Sequence, residues 1–136
     1  MYVAETKLRV RYAETDQMGY VYYGNYATYY EIGRVEALRD LGFSYKALET
    51  EAGVMMPVLE LHVQYKAPAL YDDELRLQIS VPEMPQTRMR FEYKLYNAAG
   101  KLLNEGYTTL AFVNKSSGRP CRVPEELKQV LLPYFK

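Results

Sequence analysis

Apolar and basic side chains alternate near the start of the chain. Leu8, Val10 and Tyr12 are separated by single arginine residues, and Lys7 precedes them. A period of two predicts a strand over residues 6–12, with one face buried and the other in water.

A different spacing follows a short turn. Over residues 26–41, apolar side chains recur every three or four positions, and Ile32, Val35 and Leu38 lie beside that stripe. This pattern predicts a long helix that other structure largely surrounds. Ser44 is placed to cap a shorter helix over residues 45–51.

The second half of the chain returns to the period of two. It predicts strands over residues 58–66, 75–81, 89–96 and 102–113, followed by a terminal helix from Pro124. Short links between strands favour antiparallel neighbours. The helix over residues 26–41 is the one large apolar partner for such a sheet. We therefore expect an α+β domain in which an antiparallel sheet curls around a long central helix.

Composition narrows the class of protein. The 136 residues carry no net charge, and 49% of them are hydrophobic. This suits a single domain over residues 1–136 and argues against a nucleic-acid partner. No stretch resembles a signal peptide or a membrane span, so we expect a cytoplasmic protein. Cys121 is the only cysteine, and the sequence suggests neither a metal site nor a cofactor.

One carboxylate, Asp16, stands in the turn before the long helix. The first N–H groups of a helix lack partners and carry a partial positive charge. A carboxylate beside such donors is placed to attack an acyl group whose oxygen they bind. The residues alone also allow a structural role, in which Asp16 only closes an Asx turn that ends in Gly19; such aspartates are the commoner kind.

Three segments carry a family resemblance. Residues 16–26, 63–69 and 71–75 resemble the hot-dog-fold acyl-CoA thioesterases of the 4-hydroxybenzoyl-CoA thioesterase branch, and the similarity extends from Leu8 to about Pro120. The resemblance implies a hot-dog fold. It also implies hydrolysis of an acyl-CoA thioester by a homodimer, assembling into a homotetramer, with active sites between subunits.

The resemblance also assigns roles. Asp16 would be the nucleophile or the general base, and the backbone N–H of Tyr23, with Gly24 beside it, would bind the thioester oxygen. Many bacterial members of the wider family have histidine where this chain has Tyr23. The protein therefore cannot use a mechanism that needs an imidazole at this position.

Other residues have two interpretations each. Tyr26 and its neighbouring tyrosines would wall an acyl pocket or fill a subunit interface. Asn25 would polarise the carbonyl or cap the helix, and capping is favoured. Glu31 would reach the site or pair with Arg34, and the ion pair is favoured. His62 is expected to face solvent or a neighbouring subunit.

Cations are candidates for the phosphates of CoA, although charged residues on alternating strand positions also occur on any solvated face. The candidates are Arg88, Arg90, Lys115, Arg119 and Arg122.

Two other functions remain open on the sequence. A hot-dog domain also suits a module that binds acyl-CoA or an acyl-carrier protein without turnover. A hydratase or dehydratase of the same fold would need an Asp and His pair on the helix, and this helix has no histidine.

Overall fold

The computed structural model describes residues 1–135, which form seven strands, three α-helices and two 3-10 turns. In chain order these are β1 (Tyr2–Arg9), a 3-10 turn (Tyr12–Glu14), α1 (Asn25–Asp40), α2 (Tyr45–Thr50), β2 (Val54–Met55), β3 (Val58–Tyr65), β4 (Glu74–Val81), β5 (Arg88–Tyr96), β6 (Leu102–Ala111), β7 (Val113–Asn114), α3 (Glu125–Leu131) and a final 3-10 turn (Leu132–Tyr134).

Five strands form one sheet in the order β1-β4-β5-β6-β3, and β2 pairs with β7. Each pairing is antiparallel. The α+β architecture predicted from the sequence is confirmed. Strands β1 and β3 are the two edges of the sheet.

Helix α1 packs on the inner face of the sheet, over β1 and β4. Gly33 permits the close approach, because a Cβ atom there would stand 2.4 Å from Leu77 Cδ2. Deeper under the helix, the Tyr30 ring stacks on Tyr93 at 4.2 Å, and the Tyr30 hydroxyl donates to Asn104 Oδ1 at 2.6 Å. The tyrosines of the core are thus packed and hydrogen-bonded within one chain.

The strand boundaries differ from prediction mainly at the N-terminus. Strand β1 begins at Tyr2 and ends at Arg9, whereas residues 6–12 were expected. Tyr12 lies in the 3-10 turn and is 77% exposed, so its predicted place on the buried face is wrong. Glu14 explains the difference, because its carboxylate accepts a hydrogen bond from Arg11 N at 2.8 Å and bends the chain out of the strand.

The later elements agree more closely with the sequence. Ser44 caps α2 by accepting a hydrogen bond from Ala47 N at 3.0 Å. The strand expected over residues 102–113 is divided into β6 and β7, because Phe112 between them is buried and bonds to Thr87 O. Within residues 1–135, none of the helices has the length and apolar character that crossing a bilayer requires.

Candidate active site

Asp16 closes a tight turn. Its N–H donates to Tyr20 O at 2.8 Å, and its carbonyl accepts from Gly19 N at 3.0 Å. Its carboxylate oxygen Oδ1 accepts from Met18 N at 2.9 Å and Tyr20 N at 3.3 Å. Gly19 has a positive φ of 77°, which favours glycine at this position. The Asx turn allowed by the sequence is therefore present.

The second carboxylate oxygen of Asp16 is not used by the turn. Among residues 1–135, no group donates a hydrogen bond to Asp16 Oδ2, and the side chain is half-buried. One oxygen fixes the position of the carboxylate while the other is available for chemistry. The structural and the catalytic interpretation of Asp16 are therefore compatible.

Two backbone donors lie at the start of α1. Tyr22 N donates to Glu14 O, while Asn25 N and Tyr26 N bond back to the carbonyls of Tyr22 and Tyr23. Within the part of the chain that the structure describes, the N–H groups of Tyr23 and Gly24 donate to no protein acceptor. Together with the partial positive charge of the helix start, these free donors suit an anion or a carbonyl oxygen.

Glu14 joins the Asp16 turn to the helix. Its carboxylate accepts from the Tyr29 hydroxyl at 2.8 Å, and its carbonyl accepts from Tyr22 N and Asn25 Nδ2, each at 2.9 Å. Burial, and then this hydrogen bond, raise the pKa of Tyr29, so the hydroxyl remains a donor. This role of Glu14 was not predicted, because Arg11, three residues before it, is not one of the residues that usually open a capping box.

Asn25 does not cap the helix. Gly24 is the residue at the N-cap, where no side chain bonds to the helix, and the Asn25 amide points back to the turn instead. The predicted capping role of Asn25 is wrong. Its amide fixes the distance between the Asp16 turn and α1.

Tyr26 connects the start of α1 to the end of β3. The side chain is 3% exposed, its hydroxyl accepts from Ala69 N at 3.2 Å, and its ring lies 5.6 Å from that of Tyr65. Within one chain, Tyr26 is a packed residue beneath the site.

A shallow cavity of about 770 Å³ opens beside Asp16, and Tyr12, Ala13, Thr15, Gln17, Gly19 and Tyr71 complete its lining. Met18, Tyr22 and Tyr23 are also exposed near it. An exposed cluster of large apolar side chains is unusual on a monomer and indicates a surface that something covers.

Comparisons with known proteins identify the family of the chain. The family model of the thioesterase-like superfamily matches residues 10–131. The chain belongs to this superfamily. The acyl-CoA thioester hydrolase YbgC of Escherichia coli is 36% identical over 120 residues, covering 88% of this chain and 89% of that protein.

Similar solved structures show that the chain has a hot-dog fold. The DHNA-CoA thioesterase of Staphylococcus aureus has a TM-score of 0.85 and 34% identity, covering 99% of this chain and 85% of that one. A 4-hydroxybenzoyl-CoA thioesterase mutant, complexed with 4-hydroxybenzoyl-CoA, has a TM-score of 0.85, covers 94% of this chain and 97% of that one, and at 16% identity supports the fold alone. The predicted hot-dog fold and thioesterase resemblance are confirmed.

Within one protomer, the basic residues predicted to bind CoA lie far from Asp16. Arg88 begins β5, whose other end, Tyr96, is next to the start of β4 and the Asp16 turn. Eight residues of strand separate Arg88 from that end by about 26 Å. Arg90 bonds to Glu92 at 3.1 Å, while Lys115 and Arg119 lie in the loop that leaves β7. One protomer does not bring these cations to its own carboxylate.

Two further predictions for this superfamily member concern α1 and β3. Glu31 and Arg34 form no ion pair, so that prediction is wrong; Arg34 is buried instead. His62 is exposed on the outer face of the sheet and stacks on Tyr107 at 5.3 Å.

Among residues 1–135, His, Cys, Asp and Glu form no cluster of three or more suited to a metal ion.

Proposed function

We propose that the protein hydrolyses an acyl-CoA thioester to a free acid and CoA. Asp16 serves as nucleophile or general base, and the N–H groups of Tyr23 and Gly24 polarise the carbonyl. The observation that carries the proposal is the pairing of a fixed carboxylate with an unused oxygen and two unpartnered amides at the start of a helix.

This set of groups suits thioester chemistry. In the nucleophilic route, the carboxylate adds to the carbonyl carbon, the C–S bond breaks, CoA leaves as the thiolate, and water hydrolyses the resulting anhydride. In the general-base route, Asp16 takes a proton from the attacking water. Backbone donors stabilise the oxyanion in either route, and each is typically worth about a hundredfold or more in rate.

Strand β3 supports a homodimer. It is an edge strand, yet Val58, Leu59, Leu61 and Tyr65 on it are all exposed. Leu61 lies on the helix-facing side of the sheet, because it is paired with Thr108, which is paired with the buried Phe91. A long apolar edge of this kind invites another strand. The β3 strands of two protomers would pair antiparallel about a two-fold axis.

This pairing would complete the site. Pairing along the full length of both strands would bring the start of one β3 beside Tyr65 of the other, whose ring packs on Tyr26 at the start of α1. Arg88, Lys115 and Arg119 belong to the same end of the protomer as Val58, because Arg88 pairs with Ala111 and β7 pairs with β2. The partner's cations would then approach Asp16 and bind the phosphates of CoA. The substrate-binding roles of Arg88, Arg90, Lys115, Arg119, Asn25 and Tyr26, the tetramer and the cytoplasmic location stay predictions.

Thiol release from a panel of aromatic and aliphatic acyl-CoA esters tests the proposal. Asp16→Asn keeps an Oδ1 acceptor for Met18 and Tyr20, so the turn should persist while turnover falls by about a hundredfold or more. Equal and slow thiol release by wild type and Asp16→Asn would instead indicate a module that binds acyl-CoA or an acyl-carrier protein without turnover.

A further inference from the structure

A second cavity, of about 420 Å³, lies between α1, α2 and β2. Val35, Val54, Met55 and Met56 give it an apolar wall, and Arg34 and Tyr45 complete its lining. Glu31 and Glu49 also border it; both are exposed, and Glu49 pairs with Lys115 at 3.6 Å. Its volume suits a small organic group.

Arg34 is a buried cation without a counterion. The side chain is 8% exposed, its Nε atom is buried without a hydrogen-bond partner, and among residues 1–135 no carboxylate forms an ion pair with it. Burial by itself lowers the pKa of Arg34, but the nearby Tyr93 and Tyr45 leave it raised, so the charge persists. Buried charges in proteins are normally paired, and unpaired ones are costly.

Tyr45 contributes a second unused donor to the same cavity. Its hydroxyl is buried beside the Arg34 guanidinium, and among residues 1–135 no group meets hydrogen-bond geometry with it. Burial raises the pKa of Tyr45 to about 12, although Arg34 opposes the effect. The hydroxyl is therefore protonated at neutral pH. A cation and a hydroxyl donor in an apolar cavity match a carboxylate, which accepts several hydrogen bonds.

We propose that this cavity receives the far end of the acyl group, and that this end carries a carboxylate held by Arg34 and Tyr45. The inference depends on the proposed function, because Met55, Met56 and Pro57 border the cavity and directly precede β3. Antiparallel pairing of β3 would place this segment beside the partner's helix start. The substrates are then thioesters of dicarboxylic acids. A neutral acyl group would leave the guanidinium uncompensated.

The test compares acyl groups of equal chain length. We expect kcat/KM for glutaryl-CoA and adipyl-CoA to exceed that for pentanoyl-CoA and hexanoyl-CoA by roughly tenfold or more, as charge-assisted hydrogen bonds allow. Arg34→Met should abolish the preference, and Tyr45→Phe should reduce it. Tyr45→Phe removes a hydroxyl without a partner, so it should fold. Arg39→Met, on an exposed turn of the same helix, should retain the preference.

A binding measurement separates this inference from the proposed function. Calorimetry should detect glutarate binding to wild type and its loss in Arg34→Met, without any turnover. If glutarate binds in this way but no acyl-CoA is hydrolysed, the proposed hydrolysis fails and the cavity assignment survives. If hydrolysis is efficient but each neutral ester reacts as fast as its carboxylated counterpart, the cavity assignment is overturned.

Discussion

The two edge strands of the sheet have the same length and opposite surroundings. In β1, eight residues alternate between the core and solvent, and α1 covers the inner face. In β3, also eight residues, only Val63 is even partly buried. The strand is nonetheless rich in apolar side chains. The proposed second protomer would cover this apolar strand, whose last residue, Tyr65, packs on Tyr26 beneath the candidate active site.

The ends of the two strands differ in the same way. At the start of β1, the Tyr2 hydroxyl shares its one proton between Asp40 Oδ2 at 2.8 Å and Ala37 O at 3.0 Å, and its ring packs on Tyr134 at 4.9 Å. At the end of β3, Tyr65 is exposed and packs on Tyr26. Hydrogen bonds and ring packing within the chain hold the start of β1, whereas the end of β3 is exposed to solvent.

Leu61→Lys is expected to have the largest effect on this contrast. A charge on the uncovered inner face of β3 would be buried by the second protomer, which is strongly unfavourable. We expect a monomer by analytical ultracentrifugation and a loss of thiol release of about a hundredfold, comparable to loss of the polarising donors.

Val3→Lys is the matched control on β1. Val3 and Leu61 are both 44% exposed. Val3, however, lies on the outer face of β1, and α1 of the same chain covers the inner face of that strand. This variant should keep the dimer and its turnover. If both lysine variants dissociate the protein, or neither does, the difference drawn between the two edges is wrong.

Tyr2→Phe should have a smaller effect, confined to stability. Loss of hydrogen bonds to Ala37 and Asp40 should lower the free energy of unfolding by about 1–2 kcal/mol at neutral pH, without changing turnover. Urea titration at pH 7 measures this change, with Tyr65→Phe as the control that should leave stability nearly unaltered.

The same variant makes a prediction for alkaline pH. Burial, and then the bond to Asp40, raise the pKa of Tyr2 above the value of about 10 in the unfolded chain. Its stabilising contribution is complete below that unfolded value and is lost as pH rises further, because only the unfolded state releases the proton. The free energy of unfolding should therefore fall less steeply above about pH 10 in Tyr2→Phe. Parallel curves for the two proteins would exclude Tyr2 as a source of alkaline sensitivity.

Much of the fold follows from periodicity. Buried and less buried side chains alternate along β4 and β5, and apolar side chains form a stripe along α1. Both patterns arise because one side of each element is buried, so they are visible in the local sequence. Tyr12 was misplaced because Glu14 ends the alternating pattern by bonding to the backbone of Arg11. Such a bond depends on one side-chain conformation, which hydrophobic spacing does not encode.

The site was less accessible to sequence analysis. The resemblance pointed to Asp16, and the Asx turn that holds it was the structural alternative to a catalytic role. The ion pair of Glu31 with Arg34 was wrong because spacing along a helix does not say which side faces the core. The separation of Arg88 from Asp16 within one chain depends on the tertiary structure, and so does the burial of Arg34. Neither can be read from local sequence.

A hybrid dimer tests most directly whether the site is shared between protomers. Asp16→Asn and Arg34→Met chains, tagged differently and purified as the heterodimer, should hydrolyse glutaryl-CoA at about half the wild-type rate, because one of two symmetric sites retains both groups. A heterodimer no faster than the mean of its two parent homodimers would contradict a site built from both chains.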